Sequence, residues 1–217
     1  MLFRSLYLGK GSVEVLPNGI EIEAVRNRAE ASLELEGIEE GKPLIAAIGR
    51  LVPQKGFNYL LDAYALVLRE MDSQLVVLGE GPLRSELEAQ AELLGIADSV
   101  LLPGFISEPF PLLKRAELFV LSSVYEGFGI VVLEAMVCGT PVAATDCHWG
   151  PAELLRDGEA GLLVPPADVG ELAGAILESL RNPEAARERA AFASLEAESY
   201  SILAVADRFE KLIEDTM

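Results

Sequence analysis

Two carboxylates and two cations stand where their neighbours do not explain them. Glu126 lies in a polar, glycine-containing stretch, residues 122–127, just before an apolar run. Glu134 lies inside that run, Ile130-Val-Val-Leu-Glu-Ala-Met-Val137, whose other members read as buried. A carboxylate is rarely buried without a partner, and a ligand hydroxyl would serve. Arg50 and Lys55 stand in the glycine-bounded stretch Gly49-Arg-Leu-Val-Pro-Gln-Lys-Gly56. Arg grips anionic oxygens with two donors, and Lys adds a compact charge. Phosphate binding is the chemistry such a pair suits, although a surface pair facing nearby acids would have the same spelling. Gly127-Phe128-Gly129 opens the apolar run as a helix. Leading N–H groups and the positive dipole end there form an anion site, or the glycines simply make a tight turn.

Weaker candidates surround these. Gly79-Glu80-Gly81 lacks the third glycine of a dinucleotide fingerprint and reads as a turn into a helix. Phe105 and Ile106 could flank a flat base or pack internally. Asp146 and His148 could serve a site loop, yet no visible nucleophile pairs with the single histidine. Cys147 beside His148 does not complete a metal site. Glu153 is expected to cap or pack a short helix.

These residues need elements to hold them. From Pro43 onward, strand-like apolar runs at 44–48, 74–78, 99–102, 118–121, 141–145 and 161–164 alternate with helical patterns at 57–70, 83–94, 109–116, 129–137 and 151–156. Asp168 is expected to cap a helix to Leu180, Pro183 to start another and Ser201 to begin the last. Such alternation predicts an α/β, Rossmann-like parallel sheet with helices on both faces. Ligands bind such sheets beyond the strands' carboxyl ends. The loops at 49–56, 79–82, 103–105, 122–129 and 145–150 all fall on that edge.

The totals set bounds. At 217 residues the chain suits one large domain or a domain plus a fragment, and at 51% hydrophobic it can build a sizeable core. No run is long enough to span a membrane, and Arg4 breaks the opening apolar stretch, so a soluble, cytoplasmic protein is expected. A net charge of −18 argues against a nucleic-acid partner. Cys138 and Cys147 read as reduced thiols. Residues 1–42 read as a lead-in or linker, 43–200 as the ligand-binding domain and 201–217 as a terminal helix. Asn18-Gly19 marks a hairpin turn or a hinge.

The chain resembles the carboxyl-terminal half of a retaining GT-B glycosyltransferase of the family four, group 1 type. The resemblance covers about residues 13 to 216. It rests on Val15-Leu-Pro-Asn-Gly-Ile-Glu21, Gly49-Arg-Leu-Val-Pro-Gln-Lys-Gly56, Leu78-Gly-Glu-Gly-Pro82, Leu102-Pro-Gly-Phe105 and Gly161-Leu-Leu-Val-Pro165 followed by Asp168. Above all it rests on the Glu-x7-Glu motif Glu126-Gly-Phe-Gly-Ile-Val-Val-Leu-Glu134.

The resemblance implies a nucleotide-diphosphate sugar as donor and no bound metal or other cofactor. It implies that Arg50 and Lys55 neutralise the diphosphate and that Glu126 meets the donor sugar near the reacting centre. Glu134 would accept from ribose hydroxyls. Backbone N–H groups of Phe128, Gly129 and Ile130, with Gly49 and Gly127 beside them, would hold sugar or phosphate. Phe105 and Ile106 would meet the base. The acceptor site of such enzymes lies on an amino-terminal domain that would need well over a hundred further residues, so a partner domain or subunit is expected. The helix from Ser201 would cross to it. A nucleotide-sugar epimerase or phosphorylase can share the fold, although Glu-Gly-Phe-Gly argues against the first and no lysine-rich pyridoxal site is visible for the second. A catalytically silent binding or scaffold module is the remaining alternative.

Overall fold

The computed structural model describes residues 5–8, 12–33, 35–148 and 150–215. An antiparallel pair comes first, β1 (Ser5–Leu8) and β2 (Ser12–Val15), followed by α1 (Ile22–Ala29). Strands and helices then alternate: β3 (Leu44–Ile48), α2 (Phe57–Leu68), β4 (Gln74–Leu78), α3 (Arg84–Leu94), β5 (Val100–Gly104) and α4 (Phe110–Arg115). The alternation continues through β6 (Leu118–Leu121), α5 (Ile130–Cys138), β7 (Val142–Thr145), α6 (Pro151–Leu154) and β8 (Leu162–Val164). The helices α7 (Val169–Arg181), α8 (Pro183–Glu196) and α9 (Ile202–Glu214) close the described chain.

Among the described residues, six strands form one sheet in the order β5-β4-β3-β6-β7-β8, and every pairing in it is parallel. The chain lays down β3, moves outward through β4 and β5, then returns to place β6 on the other side of β3. The reversal opens a crevice at the carboxyl ends of β3 and β6, where an open α/β sheet binds its ligand.

Strand residues alternate between two apolar layers. Leu44, Ala46, Val76, Phe119, Leu121 and Ala144 face one core with α1, α4 and α5. Ile45, Ala47, Leu75, Val77, Val120 and Ala143 face the other with α2, α3 and α7. Burial on both faces explains why these strands read as continuous apolar runs. The two clear helix starts behave as expected: Asp168 accepts from the Glu171 N–H at 3.0 Å, and Ser201 Oγ accepts from the Ala204 N–H at 3.2 Å.

The amino-terminal stretch is more tightly joined to the sheet domain than a linker reading implies. Ile22, Val25 and Ala29 of α1 are buried in the first core. Asn18-Gly19 is not the turn of the β1–β2 hairpin. It follows β2 and leads to Ile20, whose N–H donates to the Tyr200 carbonyl at 2.9 Å and whose carbonyl accepts from the Ile202 N–H at 3.1 Å. The two ends of the domain are thus tied side by side. No residue of α9 is buried; Ile202, Leu203, Phe209 and Ile213 are all exposed.

Candidate functional site

The reversal point brings two loops together. The loop after β3 runs through a short 3-10 turn, Pro53–Lys55, into α2. The loop after β6 runs from Ser122 to the start of α5. Gly56 joins them: it has a φ of 62°, and a Cβ there would lie 2.2 Å from the Ser122 carbonyl oxygen. Only glycine tolerates both conditions. Ser122 Oγ donates to the Lys55 carbonyl at 2.8 Å. The loops interlock before any charged group is considered.

Lys55 and Glu126 meet across this junction. Lys55 Nζ lies 2.6 Å from Glu126 Oε1, with the two side chains only 16% and 7% exposed. The Lys55 stem passes over Gly49, where a Cβ would come within 3.1 Å of its Cδ and Cε. Ser123 Oγ donates to the same Glu126 oxygen at 2.6 Å. A nearly buried ion pair contributes little net stability against apolar replacements, but losing one partner strands the other. The pair stands at the carboxyl ends of β3 and β6, the edge where an open α/β sheet binds its ligand.

Arg50 is exposed, and its guanidinium has no ion pair with any described residue. Lys55 thus pairs with a nearly buried acid, and Arg50 takes no acid among the described residues. Gly127 faces open space, with no heavy atom within 4 Å of where its Cβ would stand. Gly129 is the left-handed N-cap residue of α5, and no side chain caps that helix. The leading N–H groups of α5 therefore remain for an anion or polar ligand. Ile130, at the first turn, is 38% exposed. The Phe128 ring turns inward to Tyr200, with ring centroids 5.9 Å apart.

Glu134 stands one turn into α5 and is partly buried. Among the described residues its carboxylate has no ion-pair partner. Burial pushes its pKa up to about 7. One turn on, the Cys138 thiol is pushed up to about 12, first by burial and then by the Glu134 charge, with Lys114 opposing.

The remaining candidates divide. Phe105 is 76% exposed beyond β5, whereas Ile106 packs against the first core. The loop at Gly79-Glu80-Gly81 is structural: the Leu51 N–H donates to the Glu80 carbonyl at 2.9 Å. Glu153 is exposed, and no side chain caps α6. The His148 carbonyl accepts from the Glu126 N–H at 3.3 Å, so that residue contributes backbone to the site. Among the described residues no cluster of three His, Cys, Asp or Glu side chains could hold a metal ion. No helix among them is long and apolar enough to cross a membrane.

Three contributors escaped the sequence reading: Gln54, Ser123 and Thr145. Gln54 Nε2 donates to the Tyr125 carbonyl at 3.0 Å, 71 residues away in sequence. Thr145 Oγ1 donates to the Ser123 carbonyl at 2.5 Å. Neither residue type is unusual in a loop. Only Ser123, three residues before Glu126, offered a local signal.

Comparison with known proteins gives this geometry its context. The sequence pattern described as glycosyl transferases group 1 matches residues 29–195. An alpha-D-kanosaminyltransferase of Streptomyces kanamyceticus is 38% identical over 180 residues, covering 81% of this chain and 46% of that protein. An N-acetylgalactosamine-N,N'-diacetylbacillosaminyl-diphospho-undecaprenol 4-alpha-N-acetylgalactosaminyltransferase of Campylobacter jejuni is 36% identical over 163 residues, covering 75% and 43% respectively. The chain thus spans less than half the length of these two curated relatives. In structure it is similar to Anabaena HepE solved in complex with UDP, with a TM-score of 0.80 at 24% identity, covering 93% of this chain and 57% of that one. With a Rossmann-like sheet of the GT-B kind and a family match spanning most of its length, the chain belongs to the group 1 glycosyl transferases.

Proposed function

We propose that this chain is the donor-binding half of a retaining glycosyltransferase, taking a hexose from a nucleotide-diphosphate sugar. The observation that carries the reading is the meeting of Lys55 and Glu126 at the sheet's reversal point, 2.6 Å apart and beside the uncapped start of α5. Arg50 and Lys55 neutralise the diphosphate. The leading N–H groups of Phe128, Gly129 and Ile130 add donors for sugar or phosphate, with Gly49 and Gly127 leaving room. Glu134 accepts from the ribose hydroxyls, Phe105 offers its exposed ring to the base, and Glu126 meets the sugar.

In the transfer, the bond from the anomeric carbon to the phosphate oxygen breaks. The acceptor oxygen bonds to the same face, and its proton passes to the leaving diphosphate. Negative charge grows on the departing oxygen, so fixed cations and helix N–H groups lower this barrier most. No resident metal or other cofactor is assigned a step.

We take residues 43–200, together with the α1 helix that packs into their core, as the donor domain. The β1–β2 pair and α9 lead toward an acceptor-binding domain, supplied by the same or another chain, with α9 offering its exposed apolar face. The free thiols Cys138 and Cys147 suit a cytoplasmic location. The relatives' names support sugar transfer, and UDP bound to HepE supports a nucleotide donor.

Isothermal titration with UDP-glucose and GDP-mannose tests the reading. Binding of at least one, reduced tenfold or more in Arg50→Ala and Lys55→Ala, is about the loss expected for a charge-assisted contact to phosphate. No heat from either, in folded protein, counts against it.

A further inference from the structure

The geometry points to Gln54 as a positioning residue that sets the direction of the Glu126 side chain. The inference rests on the proposed role of Glu126 at the donor sugar.

The loop after β6 changes character along its length. Ser122, Ser123 and Glu126 are buried, but Val124 and Tyr125 between them are 38% and 56% exposed. Side-chain packing does little to hold the exposed bend, so hydrogen bonds must hold it. The Val124 N–H donates to the Gln54 carbonyl at 2.8 Å. The Gln54 side-chain amide donates to the Tyr125 carbonyl at 3.0 Å. One residue therefore grips two successive positions of the bend, once with its backbone and once with its side chain.

The second grip acts on Glu126 directly. The Tyr125 carbonyl and the Glu126 N–H belong to one peptide group, which is planar. Its oxygen is held by Gln54 Nε2 at 3.0 Å, and its N–H is held by the His148 carbonyl at 3.3 Å. A plate held at both edges resists rotation about its long axis. The Glu126 Cα rides on that plate, so the exit direction of its carboxylate follows. Lys55, the next residue after Gln54, holds the carboxylate itself, with Ser123 Oγ on the same oxygen. Residues 54 and 55 thus fix the peptide and the side chain of one functional group.

The chemistry requires a donor at position 54. Glutamine supplies an N–H for the carbonyl. Glutamate would face that carbonyl with an acceptor and bring a second negative charge toward Glu126. Alanine would release the plate at one edge and leave the backbone bond to Val124 in place.

Titration of the 217-residue chain with UDP against UDP-glucose, and GDP against GDP-mannose, separates positioning from mere loop stability. Gln54→Ala should leave free-nucleotide affinity within about twofold while weakening the sugar-bearing ligand about three- to tenfold, the scale of one net hydrogen bond. Gln54→Glu should weaken it further, and Glu126→Gln should remove the same sugar-dependent increment. Equal loss for nucleotide and nucleotide-sugar, or no loss for either, would overturn the inference and leave the donor-site reading standing. Wild-type protein that binds no nucleotide, or a Glu126→Gln variant that keeps the full increment, would overturn that reading and the inference with it.

Discussion

Glu134 faces two opposed demands. Its carboxylate is shielded from water without an ion-pair partner among the described residues, and burial raises its pKa from 4.5 to about 7. The folded protein therefore holds this proton between those values while the unfolded chain releases it. Stability from this group is highest below the unfolded value, falls as pH rises toward 7 and stays low above it. Glu134→Gln removes the penalty, so its unfolding midpoint should exceed wild type by about 1–3 kcal/mol equivalent at pH 8, with the gap closing near pH 5. The same variant should bind nucleotide more weakly. Wild-type affinity for a nucleotide-sugar, whose diphosphate has no group titrating in this range, should drop as pH falls below 7, because ribose hydroxyls favour the ionised acceptor, and the variant's pH profile should be flatter. Lys55 and Glu126 make a second residue-scale case. Lys55→Met strands a carboxylate that is 7% exposed and should cost about 3 kcal/mol in denaturant unfolding. Adding Glu126→Gln should recover most of that loss without recovering nucleotide-sugar binding. Glu134 stood out because its type contradicted its apolar surroundings, and Glu126 because it precedes that run in the Glu-x7-Glu motif. Gln54 and Thr145 did not, because an amide or a hydroxyl in a loop contradicts nothing.

At the scale of elements, the site depends on how closely two loops approach. Gly56 and Gly174 make the point with one substitution. At Gly56, with its left-handed backbone and the Ser122 carbonyl 2.2 Å from an added Cβ, Ala should destabilise by about 2 kcal/mol or more and weaken ligand binding. At Gly174, in the exposed middle of α7 with nothing within 4 Å, Ala should stabilise by about 0.5–1 kcal/mol and leave binding unchanged. Chemical denaturation of the two variants checks both signs. The alternating elements were readable because buried parallel strands leave short apolar runs and the helices keep their period. α1 was not. Its apolar residues, Ile22, Val25 and Ala29, are few, and they lie among acids and arginines that mark a solvated face. What recruits it is the packing surface of α4 and α5, which local sequence does not display.

For the whole molecule, strand order decides where the chemistry can sit. Sequence alternation showed a parallel sheet and placed five loops on one edge, but pairwise order depends on contacts far apart in the chain. The reversal between β3 and β6 selects the loops after those two strands and sets Phe105 further out, beyond β5. The exposed face of α9 belongs to the same scale. Leu203→Lys with Phe209→Lys should leave the unfolding midpoint and nucleotide binding unchanged, because both side chains are exposed in the domain. In the proposed site a nucleotide is held by its ribose and diphosphate. Thermal unfolding with and without millimolar UDP, GDP and ADP, on wild type and Glu134→Ala, tests this binding. One nucleotide should raise the wild-type midpoint by about 3 °C or more, and the rise should disappear in the variant. No rise with any nucleotide, or an equal rise in both proteins, would contradict it.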